Sequence, residues 1–582
     1  MGMSSPSSAP ARPRVPKLPL AGVLRPGRLN DLWFKPATGN VASMLVPMVV
    51  LLVLDRLDLA PYTMAGSLCA LYGHNIPYAR RARVVLWVIA GMLSGLAIAM
   101  LTSAATDSVA LLVLVGAALA ALQKVVCEAT GIGAPGPVIF AFVSSATLFV
   151  PQTFGAIPGH LGLAAGAAAL SWCVTMAPGL LRPNGPERRA TARALEATAA
   201  LLVGEPSGPA HDRARSAAAA AIEAAWHSLY AARRRTPVRR ALERLLVRAE
   251  TALASPREAD AALLARYASQ TRGTRPVPVP EGLDEQALSE LAGIDLDRAA
   301  QPRAPHPLLR AFAPGSPLLP VLARVFLGSA LAGLAAWGIG SDRPYWAIVT
   351  ALSIFQTNVT TTWTRAIQRV FGNLVGVGVF AALAPLAHAT PVALVVLVLC
   401  LCFAAEAFMP RNYWMGQIWV TPMALLVSEF AAVRPTGELV GDRVLDSMVG
   451  ALIGIVAAFF VTNRRAGAHL ERVLTAAEAA QRETEALLAR PEAGPAALER
   501  ARRRLTGALV AVRAAADAAA GEWWQRALPE QRVLDVERAG HRTLASTVAR
   551  QGFLAAGGRP ERATATAEDA VRRARPQEDT PV

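Results

Sequence analysis

Apolar stretches recur along this 582-residue chain, each too long and too poor in charge for an ordinary soluble core. Runs of roughly 17–22 apolar residues match the hydrocarbon thickness of a bilayer. In lipid the backbone must satisfy its own polar groups, and continuous runs of this length do so as helices. Composition agrees: 53% of residues are hydrophobic and 17% charged, where a soluble domain carries about 25% charged residues. The expected fold class is therefore an all-α polytopic membrane protein.

The runs fall into two blocks. The first, 41–180, holds candidate spans near 41–54, 59–73, 84–101, 109–122, 138–150 and 161–177. The second, 317–463, holds 319–339, 345–355, 367–386, 391–408, 415–430 and 444–462. That gives about twelve transmembrane helices in two six-span repeats. The order of features supports a repeat: Pro61-Tyr62 and Pro344-Tyr345 each head a short apolar segment, followed by basic residues and a GxxxG helix (Gly91 and Gly95; Gly372 and Gly376). GxxxG lets helices approach closely in lipid.

The other regions differ in composition. Residues 181–316 and 464–555 are Ala/Arg/Glu-rich with helical spacing and no spanning run, and read as cytoplasmic helical domains. The first contains amphipathic stretches at 213–233, 238–254 and 258–269 and a Pro-rich linker at 272–282. Residues 1–40 form a basic tail, disordered in its Ser/Pro/Arg-rich part, and 556–582 read as a disordered tail.

The net charge of +16 raises the possibility of nucleic-acid binding. The basic residues are instead sorted by side. With the N-terminus inside, the inner loops of the first block hold Arg25, Arg28, Lys35, Arg80, Arg81, Arg83, Lys124 and Arg182, and the outer loops hold Arg56. In the second block Arg365, Arg369, Arg411, Arg464 and Arg465 fall inside, against Arg343, Arg434 and Arg443 outside. Both termini are placed in the cytoplasm and nucleic acid is not an expected partner. The basic run at 233–240 lacks interleaved aromatics and reads as a solvated face near anionic lipid. The arginine-, alanine- and glycine-rich composition points to a bacterial source, hence the cytoplasmic (inner) membrane.

Enzymatic chemistry has no foothold. Cys69, Cys127, Cys173, Cys400 and Cys402 lie in or beside apolar runs without metal-ligand spacing, and read as reduced core thiols. His74, His160 and His388 do not group with them, and no G-x-S-x-G, Walker or HExxH motif occurs. No metal, cofactor or catalytic residue is expected.

The stretch 343–379 carries the densest chemistry. Arg365, Arg369 and Asn373 are spaced i, i+4, i+8 and share one helix face, flanked by Gly372 and Gly376. The arginines are either substrate cations or lipid-headgroup anchors. Tyr345 and Trp346 head a helix whose free N–H groups attract anions; alternatively they are interfacial belt residues. Glu406 is an intramembrane carboxylate, suited to proton coupling or to a salt bridge with Arg411. Arg443 and Asp446, one turn apart, are expected to pair with each other as a structural element.

The segments RPYWAIVTALSIFQ (343–356) and QRVFGNLVGVGV (368–379) resemble the signature of the fusaric-acid-resistance (FUSC) family of bacterial inner-membrane proteins. RNYWMGQIWVTPMALL (411–426) and RVLDSMVGALIG (443–454) fit the same pattern. The resemblance implies an exporter of aromatic carboxylic acids, related to plant aluminium-activated malate channels, and mildly favours a homo-oligomer. It brings Thr350, Gln356 and Tyr413 beside Tyr345, Trp346, Arg365, Arg369 and Asn373 as expected substrate-binding residues. Proton-coupled export of a small organic anion is the leading expectation, against a passive anion channel and a non-transport scaffold in the bilayer.

Overall fold

The computed structural model describes residues 20, 22–27, 33–74, 76–205, 208–231, 236–254, 260–273, 275–278, 307–314, 316, 318–356, 358–430, 435–460, 466–520 and 529–555. The regular structure among them is helical. Arg434, Arg464, Arg465, both expected tails beyond these limits and parts of the 233–240 run and the Pro-rich linker lie outside the described residues.

The first block contains α1 (Phe34–Val53), α2 (Ala60–Ser67), α3 (Tyr78–Ala105), α4 (Val109–Thr130), α5 (Pro137–Leu148) and α6 (Ile157–Leu181). Short 3-10 turns extend α2 on both sides. Next come α7 (Gly185–Val203), α8 (Pro209–Tyr230), α9 (Pro237–Ala254) and α10 (Asp260–Arg272). The second block is α11 (Leu319–Gly338), α12 (Tyr345–Ile354), α13 (Val359–Ala387), α14 (Pro391–Phe408), α15 (Tyr413–Glu429) and α16 (Thr436–Phe460). The chain then forms α17 (Ala466–Leu488), α18 (Pro495–Ala520) and α19 (Glu530–Ala555).

Among the described residues, eight helices are long and apolar enough to cross a bilayer: α1, α3, α4, α6, α11, α13, α14 and α16. Their outward faces expose Val49, Trp87, Leu374 and Leu452, as lipid contact requires. The other four segments expected to span are shorter. The 10 residues of α12 rise only about 15 Å, half of a ~30 Å hydrocarbon layer. All ten are buried in protein. Their apolarity therefore reports a protein core, which a hydropathy pattern does not distinguish from lipid.

The same pairs of elements meet in both blocks. The second element packs on the sixth, and the fifth on the third and fourth (α2 on α6 and α12 on α16; α5 on α3 and α4, α15 on α13 and α14). Across the blocks, the first helix of each meets the fourth of the other, α1 on α14 and α11 on α4. Helix α12 also reaches α4 and α5.

Glycines set these approaches. A Cβ on Gly372 would lie 2.6 Å from Gln417 Cβ and 2.7 Å from the Trp414 carbonyl oxygen of α15. One on Gly376 would lie 2.7 Å from Thr421 Cβ, and one on Gly450 of α16 would lie 2.6 Å from the Ala347 carbonyl oxygen of α12. Gly372 and Gly376 thus lie at the contact between α13 and α15. The thiols are more varied than expected: Cys69, Cys127 and Cys402 are buried, but Cys173 and Cys400 are exposed.

Helices α7–α10 enclose one apolar core, around Leu195, Trp226 and Leu245. Helices α17–α19 enclose another, around Leu474, Leu505 and Val536. The two are joined where α8 meets α18 and α9 meets α19. There Arg502 donates 2.7 Å bonds to Glu250 and Glu499, the Trp226 indole donates to Glu250 at 2.8 Å, and the Arg503 guanidinium lies 3.9 Å from the Trp226 ring. Buried charges held this way are paired and hydrogen-bonded, so separating the two cores would strand them. Asn358, at the break before α13, donates to the Ala518 carbonyl at 3.3 Å and ties α18 to the second block.

Two predictions follow from packing and burial. Gly372→Ala should destabilise the purified protein by about 1–3 kcal/mol through overpacking. Gly378→Ala, on the same helix with open space around it, should leave thermal unfolding unchanged. His541 on α19 has its pKa pushed from 6.5 to about 4 by burial, with Arg215 adding to the shift. The folded state then binds fewer protons than the unfolded one, so this stability is present above pH 6.5 and is lost as pH falls toward 4. Thermal melts followed by circular dichroism should decline over that window, and less so in His541→Gln.

Candidate functional site

The start of α12 is buried where the two blocks meet. Tyr345 is 6% exposed and Trp346 2%. Trp346 stacks on Phe142 of α5 with centroids 5.2 Å apart, and Tyr345 lies 5.7 Å from Phe149. These rings are enclosed by protein, which removes the interfacial-belt reading.

Arg443 of α16 is 1% exposed and places its guanidinium 3.9 Å from the Trp346 ring centroid. It also donates to Asn373 Oδ1 at 3.4 Å. Asn373, on α13, is the hub of the surrounding network. Its Oδ1 accepts from Thr421 at 2.7 Å, and its Nδ2 donates to Ser447 Oγ at 2.9 Å, which in turn donates to the Arg443 carbonyl at 2.6 Å. One amide thereby ties α13, α15 and α16 together.

One and two turns earlier on α13, Arg369 and Arg365 converge on Tyr413. Arg369 Nη1 donates to the Tyr413 hydroxyl at 2.8 Å, and the Arg365 guanidinium lies 3.5 Å from the Tyr413 ring centroid. Arg369 is 2% exposed and within electrostatic reach of Arg443. A headgroup anchor would not be enclosed this way, so the snorkelling alternative fails for Arg369.

Among the described residues none of these three arginines forms an ion pair. Buried N–H groups remain without partners at Arg365 Nε, Arg369 Nε, Arg443 Nε and Arg443 Nη1. Thr350 Oγ1 and Gln417 Oε1 are also buried and unpartnered. The expected Arg443–Asp446 pair is not made. Arg443 turns across the bundle to Trp346 and Asn373, while Asp446 stands beside Ser341, within electrostatic reach of Arg443 but without an ion pair to it. Adjacency along the helix lost to the aromatic face and amide presented by neighbouring helices.

Other expected members lie elsewhere. Gln356 caps the end of α12, donating to the Ser353 and Phe355 carbonyls at 3.4 and 3.1 Å. Glu406 is half-buried on α14 near Tyr72 and Cys402 and forms no bridge to Arg411. At the end of α13 and α15 nearest α18, the segment 22–27 lies across the bundle. Gln368 donates to the Val23 carbonyl at 2.8 Å, Trp414 to Leu24 at 3.1 Å, Asn412 to Arg25 at 2.9 Å, and Gly27 N–H to the Arg411 carbonyl at 2.6 Å.

Arg443 as a cluster member, and Thr421, Ser447, Phe142 and Phe149 around it, were missed by sequence reasoning. The Thr421-Pro422 step inside a helix was the one local signal. A polar residue before proline in an apolar helix marks a place where backbone and side chain find partners outside their own helix.

The arrangement defines a multi-pass helical membrane protein with a cationic, ring-lined cluster between its blocks. Residues 330–457, within the second membrane block, match the family described as fusaric acid resistance protein-like. The matched region contains Trp346, Arg365, Arg369, Asn373, Tyr413 and Arg443. No curated protein and no solved structure matches the chain.

Replacing Asn373 by Ala would leave Thr421, Ser447 and Arg443 without its contacts. The expected loss is about 2–4 kcal/mol, since stranding each buried partner costs roughly 1–3 kcal/mol and relaxation recovers part. Thermal unfolding in detergent measures it, with exposed Thr361→Ala as a weaker comparison.

Proposed function

We propose that the chain is a secondary transporter exporting aromatic carboxylates or similar small organic anions across the bacterial cytoplasmic membrane. The observation that carries this reading is the group of three arginines, largely buried against aromatic rings, with unmet N–H groups and, among the described residues, no carboxylate bound to any of them. A planar anion with an aromatic ring supplies what such a place lacks. Its carboxylate accepts from Arg369 and Arg443, and its ring lies against Trp346 or Tyr413 in place of a guanidinium. Thr350 and Gln417 offer a hydroxyl and an amide for a second polar group on the ring. The family match is consistent with this class of cargo.

We further infer that the two blocks are six-element repeats with both termini cytoplasmic. The shared pairing order and the reciprocal contacts of α1 with α14 and α11 with α4 support the repeat, and transporters commonly build sites at such interfaces. Proton coupling is assigned to Glu406, a carboxylate without a cationic partner among the described residues and separate from the arginine cluster.

Uptake of labelled p-hydroxybenzoate into inside-out vesicles tests the proposal. Wild type should accumulate it under an imposed proton gradient. Arg369→Ala should reduce uptake by about tenfold or more, as the loss of a charge-assisted contact implies. Glu406→Gln should abolish the response to the gradient while leaving binding intact. Gradient-independent flux in wild type would convert the reading to a channel. No uptake of this or related acids would remove the aromatic-acid assignment.

A further inference from the structure

The first block buries a cation of its own, far in sequence from the cluster just described. Arg81, in the first turn of α3, is 4% exposed, and its Nη2 lies 3.1 Å from His74 Nδ1. Arginine can only donate, so Nδ1 accepts and the imidazole proton sits on Nε2. Among the described residues two buried nitrogens, His74 Nε2 and Arg81 Nε, have no hydrogen-bond partner, while the His74 ring also lies against the Ala70 backbone.

Further positive charge gathers around them. Lys35 of α1 and Arg189 of α7 stand within electrostatic reach of His74, and Arg189 also of Arg81. Arg182, just after α6, lies close to both Lys35 and Arg189. Glu187 is also near Arg189; its Oε1 accepts from Arg239 at 2.9 Å, and its Oε2 makes no hydrogen bond among the described residues, to Arg189 or otherwise. Retention of positive residues on the cytoplasmic side explains cations in water or headgroups. It does not explain a buried arginine with an unsatisfied N–H facing a histidine in the same state. Buried donors without acceptors cost stability unless something supplies the acceptors.

The surroundings indicate what does. Leu180 and Leu181, in the last turn of α6 beside Arg182, are 88% and 87% exposed, and Phe34 beside Lys35 is 40% exposed. Apolar surface for acyl chains therefore adjoins the cationic group. We propose that Arg81, His74, Lys35 and Arg189 form a binding site for a phosphate group, supplied by the headgroup of an anionic phospholipid. Its several acceptor oxygens meet the Arg81 and His74 donors together, and Lys35 and Arg189 balance its charge. The lipid would join α1, α3 and α6 to α7, at the junction of the first block with the helices that follow it.

Native mass spectrometry of the full-length protein from nanodiscs tests this. Nanodiscs of phosphatidylcholine containing phosphatidylglycerol are compared with phosphatidylcholine alone, with and without inorganic phosphate. Wild type should retain phosphatidylglycerol. Lys35→Gln and Arg189→Gln, which alter partly exposed side chains and spare the fold, should weaken retention about tenfold each. Arg81→Lys should weaken it too, and Arg83→Gln, an exposed neighbour on α3, should not. Inorganic phosphate retained in pure phosphatidylcholine and lost in the same variants would keep the site and make a soluble phosphate its occupant. Equal retention by wild type, Lys35→Gln and Arg189→Gln, for lipid and phosphate alike, would overturn the proposal.

Discussion

A guanidinium held inside a membrane block has to be stabilised by what surrounds it, and Arg443 has an indole ring and an amide oxygen where a carboxylate would be expected. A charge at a bilayer centre costs about 2.5–3.5 kcal/mol on insertion scales, before any partner is found. The ring of Trp346 offsets part of this through its negative face, and Asn373 Oδ1 offsets more. Much of the second block follows from meeting that demand. Asn373 is brought within reach because Gly372 and Gly376 let α13 close onto α15. Trp346 is held in place because α12 is short, fully buried and backed by Phe142 from the other block.

On the proposed function, the protein's own side chains occupy the place a substrate would take. The aromatic rings that would stack on a substrate are already covered by the protein's own arginines, at 3.5 Å for Arg365 on Tyr413 and 3.9 Å for Arg443 on Trp346. Binding an aromatic acid would exchange one stacked pair for another and add a salt link, a smaller rearrangement than opening an empty cavity in a packed bundle. The elements best placed to respond are those in contact with both the cluster and the remainder of the chain. They are α12, the break at Asn358 tied to α18, and the segment 22–27 across the ends of α13 and α15.

The sequence carried the local part of this well. Period and composition located the helices, the i, i+4, i+8 spacing put Arg365, Arg369 and Asn373 on one face, and GxxxG marked the close approach. It could not carry the partners of Arg443. From sequence, Asp446 is the acid one helical turn away from Arg443; in the fold, Trp346 lies almost a hundred positions upstream and wins because α12 lies directly against α16. Span counting failed at α12 for a related reason. Ten apolar residues buried in protein carry the same hydropathy as ten facing lipid, and only the neighbours separate the cases. Phe142 and Phe149 were invisible as site residues because nothing local distinguishes a phenylalanine facing another block from one facing lipid.

The most direct test is equilibrium binding of p-hydroxybenzoate and its neutral amide, p-hydroxybenzamide, to the purified protein, read by tryptophan fluorescence and calorimetry. If the buried arginines form the anion site, the acid binds and the amide binds far more weakly. Arg443→Gln and Arg369→Gln should then erase that preference while the proteins stay folded. Equal binding of acid and amide, or a preference that survives both substitutions, would contradict the central claim that these buried arginines are there to receive a carboxylate.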